Sequence, residues 1–163
     1  MLTWLALAEP ANFELVPGQR MGPVSLGDTI DDCKMGLKGW SYSVHDEYII
    51  GPYYHYPREK EGTLVQFVIG FTPKGRVRDF QINDPSMKLK GSPKVHLGCS
   101  KEDVLEALGP PSKDFRNQLD YPELGIRFNF EDGRPARAAD PYPVQKFEKG
   151  QCEWIQIYRP NSE

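Results

Sequence analysis

A chain of 163 residues is long enough for one domain that buries a substantial core. Its 39% hydrophobic and 26% charged content is ordinary for a soluble globular protein, and its net charge of −3 with scattered basic residues excludes a nucleic-acid footprint. No stretch approaches the roughly 18 apolar residues of a membrane span, so no membrane role is expected.

Cys33, Cys99 and Cys152 are an odd set without metal-ligand spacing. They read as free thiols in a reducing, cytoplasmic compartment, or as one disulfide plus one free thiol. Residues 1–8 are apolar but lack a basic lead-in, so a buried or docking segment is expected there rather than a signal peptide.

In chain order, residues 13–16 read as a short strand closed by Pro17-Gly18. Residues 24–39 then repeat at 95–109. Without gaps, Val24, Leu26, Gly27, Asp32 and Leu37 fall on Val95, Leu97, Gly98, Asp103 and Leu108, with Thr29 on Ser100. In both places a hydroxyl precedes a helix and an aspartate follows three residues later, a capping-box spacing. Ile30, Cys33 and Leu37 mark the apolar stripe of the first helix, and Val104, Ala107 and Leu108 that of the second. Gly39 and Gly109-Pro110-Pro111 end the helices.

Strands are expected at 40–44 and 48–50, followed by an aromatic loop or bulged edge at 51–57. Residues 64–71 alternate, with Val65, Phe67, Ile69 and Phe71 on one face, and a turn at 72–75 leads into 76–82, where Phe80 and Ile82 share a face. The second half repeats this order. A strand is expected at 121–124, and 125–130 turns Ile126, Phe128 and Phe130 inward and Arg127 and Asn129 outward. A Pro-interrupted segment follows, and 154–158 closes the sheet. The expected fold is α+β: one domain over 1–163, with repeats at about 13–86 and 87–160 forming one sheet with the helices packed on one face.

The doubled motif apolar-x-Leu-Gly-x-[Ser/Thr]-x-x-Asp-apolar…Leu-Gly, each time followed by an antiparallel meander, resembles the β-lactamase inhibitor protein fold, related to the single-copy outer-membrane assembly lipoprotein BamE. The resemblance spans roughly residues 13–160. It implies a sheet that binds another protein and performs no chemistry of its own. The secreted inhibitors carry a signal peptide and disulfides, and the lipoproteins a lipid-anchored cysteine; this chain shows neither, so only the binding-platform role carries over.

Strand arithmetic points the same way. If Ile155 and Ile157 face the core, Trp154, Gln156 and Tyr158 face away, and so do Gln66, Arg127 and Asn129. That composition suits a protein interface, although a terminal segment or the 135–143 loop covering those aromatics is the competing reading. Tyr53, Tyr54 and Tyr56 form a second aromatic cluster, read either as a recognition loop or as an edge whose alternate tyrosines pack under the sheet.

Cys99 sits before the Ser100 cap with His96 nearby, the elements of a Cys/His nucleophilic pair but without a third orienting group. A partly buried structural cysteine is the favoured reading. His45, His55 and His96 lack metal-ligand spacing, and no glycine-rich phosphate loop is present, so neither a metal nor a cofactor is expected. The expected function is non-catalytic: an inhibitor or immunity-type protein covering the active surface of a partner, such as a toxin or enzyme, with an aromatic sheet face. The alternatives are an adaptor or assembly factor and, in a different class, a small Cys/His enzyme.

Overall fold

The two helices form where the capping spacing places them. The computed structural model of the chain describes residues 14–40, 42–45, 48–55, 63–133 and 147–160. Helix α1 spans Ile30–Gly36 and α2 spans Lys101–Leu108. Thr29 Oγ1 accepts from the Asp32 N–H at 3.2 Å, and Asp32 Oδ2 accepts from the Thr29 N–H at 2.9 Å. Ser100 and Asp103 do the same at 3.1 and 2.9 Å. The hydrogen bonds from Thr29 and Ser100 hold both aspartates below the usual carboxylate range. With two turns or so each, the helices persist by packing. Cys33 and Val104 are buried, with Ile30, Leu105 and Leu108 packed against the core. Ala107 is exposed: at the second helix the apolar stripe runs through Val104, Leu105 and Leu108.

The strands divide between two sheets rather than forming the single sheet expected. The smaller contains β1 (Glu14–Val16), β2 (Arg20–Met21), β3 (Val24–Ser25), β8 (Lys88–Leu89) and β9 (Ser92–His96), in the order β3-β2-β1-β8-β9, with β1 and β8 parallel. β1 lies where a short strand was expected, whereas β2, β3 and β8 are two residues each and too short to show alternation, so the sequence pattern did not separate them from loops. The larger sheet has eight strands, all antiparallel where adjacent. Its members are β4 (Ser43–His45), β5 (Tyr48–His55), β6 (Thr63–Phe71), β7 (Val77–Ile82), β10 (Lys113–Phe115), β11 (Gln118–Tyr121), β12 (Ile126–Phe130) and β13 (Cys152–Tyr158). Their order is β10-β11-β12-β13-β7-β6-β5-β4, so two four-stranded meanders meet at the β13–β7 pair.

Three strand expectations shift. Residues 51–55, expected as a loop or a bulged edge, continue β5. Among the described residues only Tyr48–Ile50 pair with β4, and the β5–β6 register skips Pro52, which has no N–H to give that ladder. The strand expected at 121–124 lies earlier, at β11, because Pro122 cannot donate and the chain turns there. The Leu124 and Gly125 N–H groups donate to the Tyr121 carbonyl at 3.0 and 2.9 Å. The strand expected at 40–44 begins at Ser43.

One apolar cluster takes side chains from both sheets and both helices. Phe67, Ile69, Phe80, Ile82, Ile126, Phe128, Ile155 and Ile157 of the large sheet are fully buried, together with Leu15, Met21 and Val24 of the small one. Tyr121 meets Phe128 edge-on, at a ring separation of 6.2 Å, and donates its hydroxyl to the Gly109 carbonyl at 2.9 Å. Burial pushes that phenol up to about 12. The mixed α+β architecture is thus a large antiparallel sheet with one face committed to the core.

Candidate functional site

Alternation fixes what the opposite face carries. With Phe80, Ile82, Ile155, Ile157 and Phe128 inward, Asp79, Gln81, Gln156, Tyr158 and Arg127 turn outward. Register then lines them up across four strands. Asp120 opposes Arg127, Arg127 opposes Gln156 and Gln156 opposes Gln81, while Tyr158 opposes Asp79 and Asn129 opposes Trp154. Each meander has one bulge. Asp79 faces Gly70 and Val77 faces Phe71, leaving Arg78 unopposed; Trp154 faces Asn129 and Cys152 faces Phe130, leaving Glu153 unopposed.

The outward side chains form a continuous hydrogen-bonded row. Arg127 Nη2 donates to Asp120 Oδ2 at 3.0 Å, and Nη1 donates to Gln156 Oε1 at 3.4 Å. Gln156 Nε2 donates to Asp79 Oδ2 at 3.2 Å, which also takes Arg78 Nε at 3.3 Å. The Tyr158 hydroxyl donates to Asp120 Oδ1, and the Arg127 guanidinium lies 5.5 Å from the Tyr158 ring centroid, a cation–π contact. Two carboxylates therefore face two guanidiniums, and the row is balanced in charge.

Burial makes the row electrostatically stiff. Asp120 is 3% exposed and Asp79 7%. Burial raises the Asp120 pKa, but the Arg127 guanidinium and the Tyr158 hydroxyl outweigh it and hold the carboxyl below its ordinary range. The bond to Asp120 raises Arg127 in turn, and burial with the Asp120 carboxylate pushes the Tyr158 phenol up. Three buried polar atoms beside the row have no hydrogen-bond partner: Asp79 Oδ1, Arg127 Nε and Asn129 Nδ2. Gly70 makes room for Asp79, since a Cβ there would collide with Asp79 Oδ1.

Of the residues singled out from sequence, Trp154, Gln156, Tyr158, Arg127 and Asn129 come together here. Trp154, Gln156 and Tyr158 are half-buried, while Asn129 is buried rather than open. Gln66 lies on β6 and Tyr53 and Tyr54 on β5, but their side chains fall outside the described part of the chain, and so does all of Tyr56. The 135–143 loop also lies outside the described residues.

Asp79, Gln81, Arg78 and Asp120 were missed. Inward Phe80 and Ile82 already placed Asp79 and Gln81 outward; Asp120 was lost because its strand was set three residues too late. Gln81, at the centre of the sheet, and Arg78 are the exposed members of this group.

Of the alternative pair, His96 Nδ1 lies 2.6 Å from the Leu97 carbonyl oxygen, and the Cys99 thiol is met by the Cys152 thiol and by the His96 backbone. All three cysteines are free and buried. A small cavity of about 130 Å3 lies at one end of the sheet, where Lys101, Arg116 and Lys149 alternate with Glu131 and Asp132. Lys101 is already held by Asp114. Among the described residues no cluster of three or more His, Cys, Asp or Glu side chains is arranged to hold a metal, and no helix is long and apolar enough to cross a membrane.

No family model matches the chain, and no curated protein matches it. A crystal structure of the uncharacterized protein yfeY from Escherichia coli is similar to it over 91% of this chain and 100% of that one, at 12% identity and a TM-score of 0.47. That protein's description names no activity, ligand or partner.

Proposed function

We propose that this chain is a non-catalytic protein-binding module of the inhibitor or immunity type, acting in the cytoplasm. It covers a partner protein's active surface with the outward face of β11, β12, β13 and β7. The observation that carries the proposal is the row Asp120–Arg127–Gln156–Asp79, cross-linked through four strands and flanked by Tyr158, Trp154 and exposed Gln81. Aromatic and arginine side chains held rigid before contact lose little freedom on binding, which is what a high-affinity patch requires.

A duplicated architecture supports the reading, with repeats over about 13–86 and 87–160. Thr29 bridges Arg76 as Ser100 bridges Gln151. Gly27 donates to Val77 and Val77 to Asp28 at 2.9 and 2.8 Å; Gly98 donates to Cys152 and Cys152 to Cys99, both at 2.8 Å. The bulges fall at matching points, and Gln81 opposes Gln156 where the copies join. On this alignment Ile50, Val68 and Gly70 of the first copy correspond to Asp120, Arg127 and Asn129 of the second. Apolar or absent side chains at these three positions of the first copy and polar ones at the same positions of the second place the polar face on the second copy together with β7, the first copy's strand at the seam.

The test compares the wild type with Gln81→Arg and Trp154→Ala as baits in the native host, with circular dichroism confirming the fold. A stoichiometric partner retained by wild type and lost by both variants is the expected result. A partner bound equally by all three places the interface elsewhere and overturns the proposal. An activity abolished by Cys99→Ser in a folded protein supports the Cys/His enzyme instead.

A further inference from the structure

The thiols of Cys99 and Cys152 have no place in the proposed binding face, yet the fold sets them against each other. Ser100 and Gln151 form an antiparallel bridge, and Cys99 and Cys152 stand one residue beyond it on the two segments. The Cys152 N–H donates to the Cys99 carbonyl and the Gly98 N–H to the Cys152 carbonyl, both at 2.8 Å, so Gly98 and Cys99 together face Cys152 across a bulge. The Cys99 and Cys152 side chains are in hydrogen-bond contact with each other, the approach a disulfide needs before its S–S bond closes. The corresponding pair at the first helix is Asp28 and Val77, which has no such chemistry.

We propose that Cys99 and Cys152 are a dithiol that peroxide converts reversibly to a disulfide, locking the start of α2 to the start of β13. Cys99, 4% exposed as a residue, attacks one oxygen of hydrogen peroxide through its sulfur; the O–O bond breaks, water leaves and Cys99 becomes a sulfenic acid. The Cys152 sulfur then attacks the Cys99 sulfur, the S–O bond breaks and a second water leaves with the Cys152 proton. Two thiols are oxidised and one peroxide is reduced to two waters. The order of attack follows from the environment. The Cys152 thiol and the His96 backbone N–H stabilise the Cys99 thiolate, lowering its pKa, while burial raises that of Cys152. Cys33, fully buried on α1, is pushed up to about 12 by burial and serves as an internal control.

The experiment treats the full chain with hydrogen peroxide and maps it by mass spectrometry after alkylation in denaturant. The expected product is a monomer lighter by about 2 Da, with two of its three thiols lost, a Cys99–Cys152 cross-linked peptide, and full recovery on reduction. Cys33→Ser should cross-link as the wild type does, and Cys99→Ser should not. If Cys99→Ser does not fold, the peptide map of Cys33→Ser decides alone. Three intact thiols, a cross-link involving Cys33, or over-oxidised Cys99 without a cross-link would each overturn the proposal.

Discussion

The two buried aspartates of the outward face should respond very differently to the loss of charge. Asp120 has both oxygens occupied, by Arg127 and by Tyr158, and is 3% exposed. Asp120→Asn keeps one oxygen but sets an amide NH2 against either a guanidinium, which cannot accept, or the tyrosine hydroxyl. Facing the guanidinium, the NH2 is stranded; facing Tyr158, it is accepted only if the hydroxyl turns its own proton away; in both cases the bonds to an ionised acceptor are lost, for a cost of about 2–3 kcal/mol. Asp79 keeps both its bonds on Oδ2, while its buried Oδ1 has no partner. Asp79→Asn relieves a half-satisfied buried charge and should cost under about 1 kcal/mol.

Urea unfolding followed by circular dichroism reads the contrast. With a urea dependence of about 2 kcal/mol per molar, the Asp120→Asn midpoint should fall by about 1 M and the Asp79→Asn midpoint by less than half of that. pH supplies the second arm. The folded pKa of Asp120 lies below its unfolded value of about 3.9, so its contribution is complete above the unfolded value and is lost as pH falls through the folded one. The gap between wild type and Asp120→Asn should hold steady between about pH 5 and 8 and close below about pH 4. Equal midpoints for the two variants, or a gap that widens on acidification, would refute the assignment of Asp120 as the electrostatic centre of the row.

Two further tests concern the scaffold. Gly125 has φ +69, and a Cβ there would meet the Tyr158 carbonyl oxygen, Gly18 Cα at 2.7 Å and Pro160 N at 3.0 Å, all backbone. Gly125→Ala should therefore cost more than about 3 kcal/mol, whereas Gly39→Ala, with φ +91 but open space around it, should cost about 1–2 kcal/mol; thermal denaturation of the pair separates crowding from backbone strain. Thr29→Ala and Ser100→Ala should each cost about 1 kcal/mol, and together about 2, because the two caps share no partner; a double variant far from that sum would show that the helices are coupled.

The local features of this protein were legible in its sequence because each rests on a short-range rule. The caps Thr29/Asp32 and Ser100/Asp103 need only three-residue spacing, and the inward sets Phe67/Ile69, Phe80/Ile82, Ile126/Phe128 and Ile155/Ile157 need only period two. From those same strands the outward placement of Arg127, Gln156 and Tyr158 follows without any knowledge of the fold. Tertiary structure decided the rest. Periodicity is blind to two-residue strands such as β2 and β3, so the second sheet stayed hidden, and at Tyr121 a single proline moved a strand boundary enough to conceal Asp120. Above all, nothing local specifies that β7 pairs with β13 across some 75 residues. That pairing brings Asp79 within 3.2 Å of Gln156 and turns separate polar side chains into one bonded row. Alternation tells each residue which face it occupies; only strand order and register, set by the packing of a shared core, tell it which neighbours it meets there.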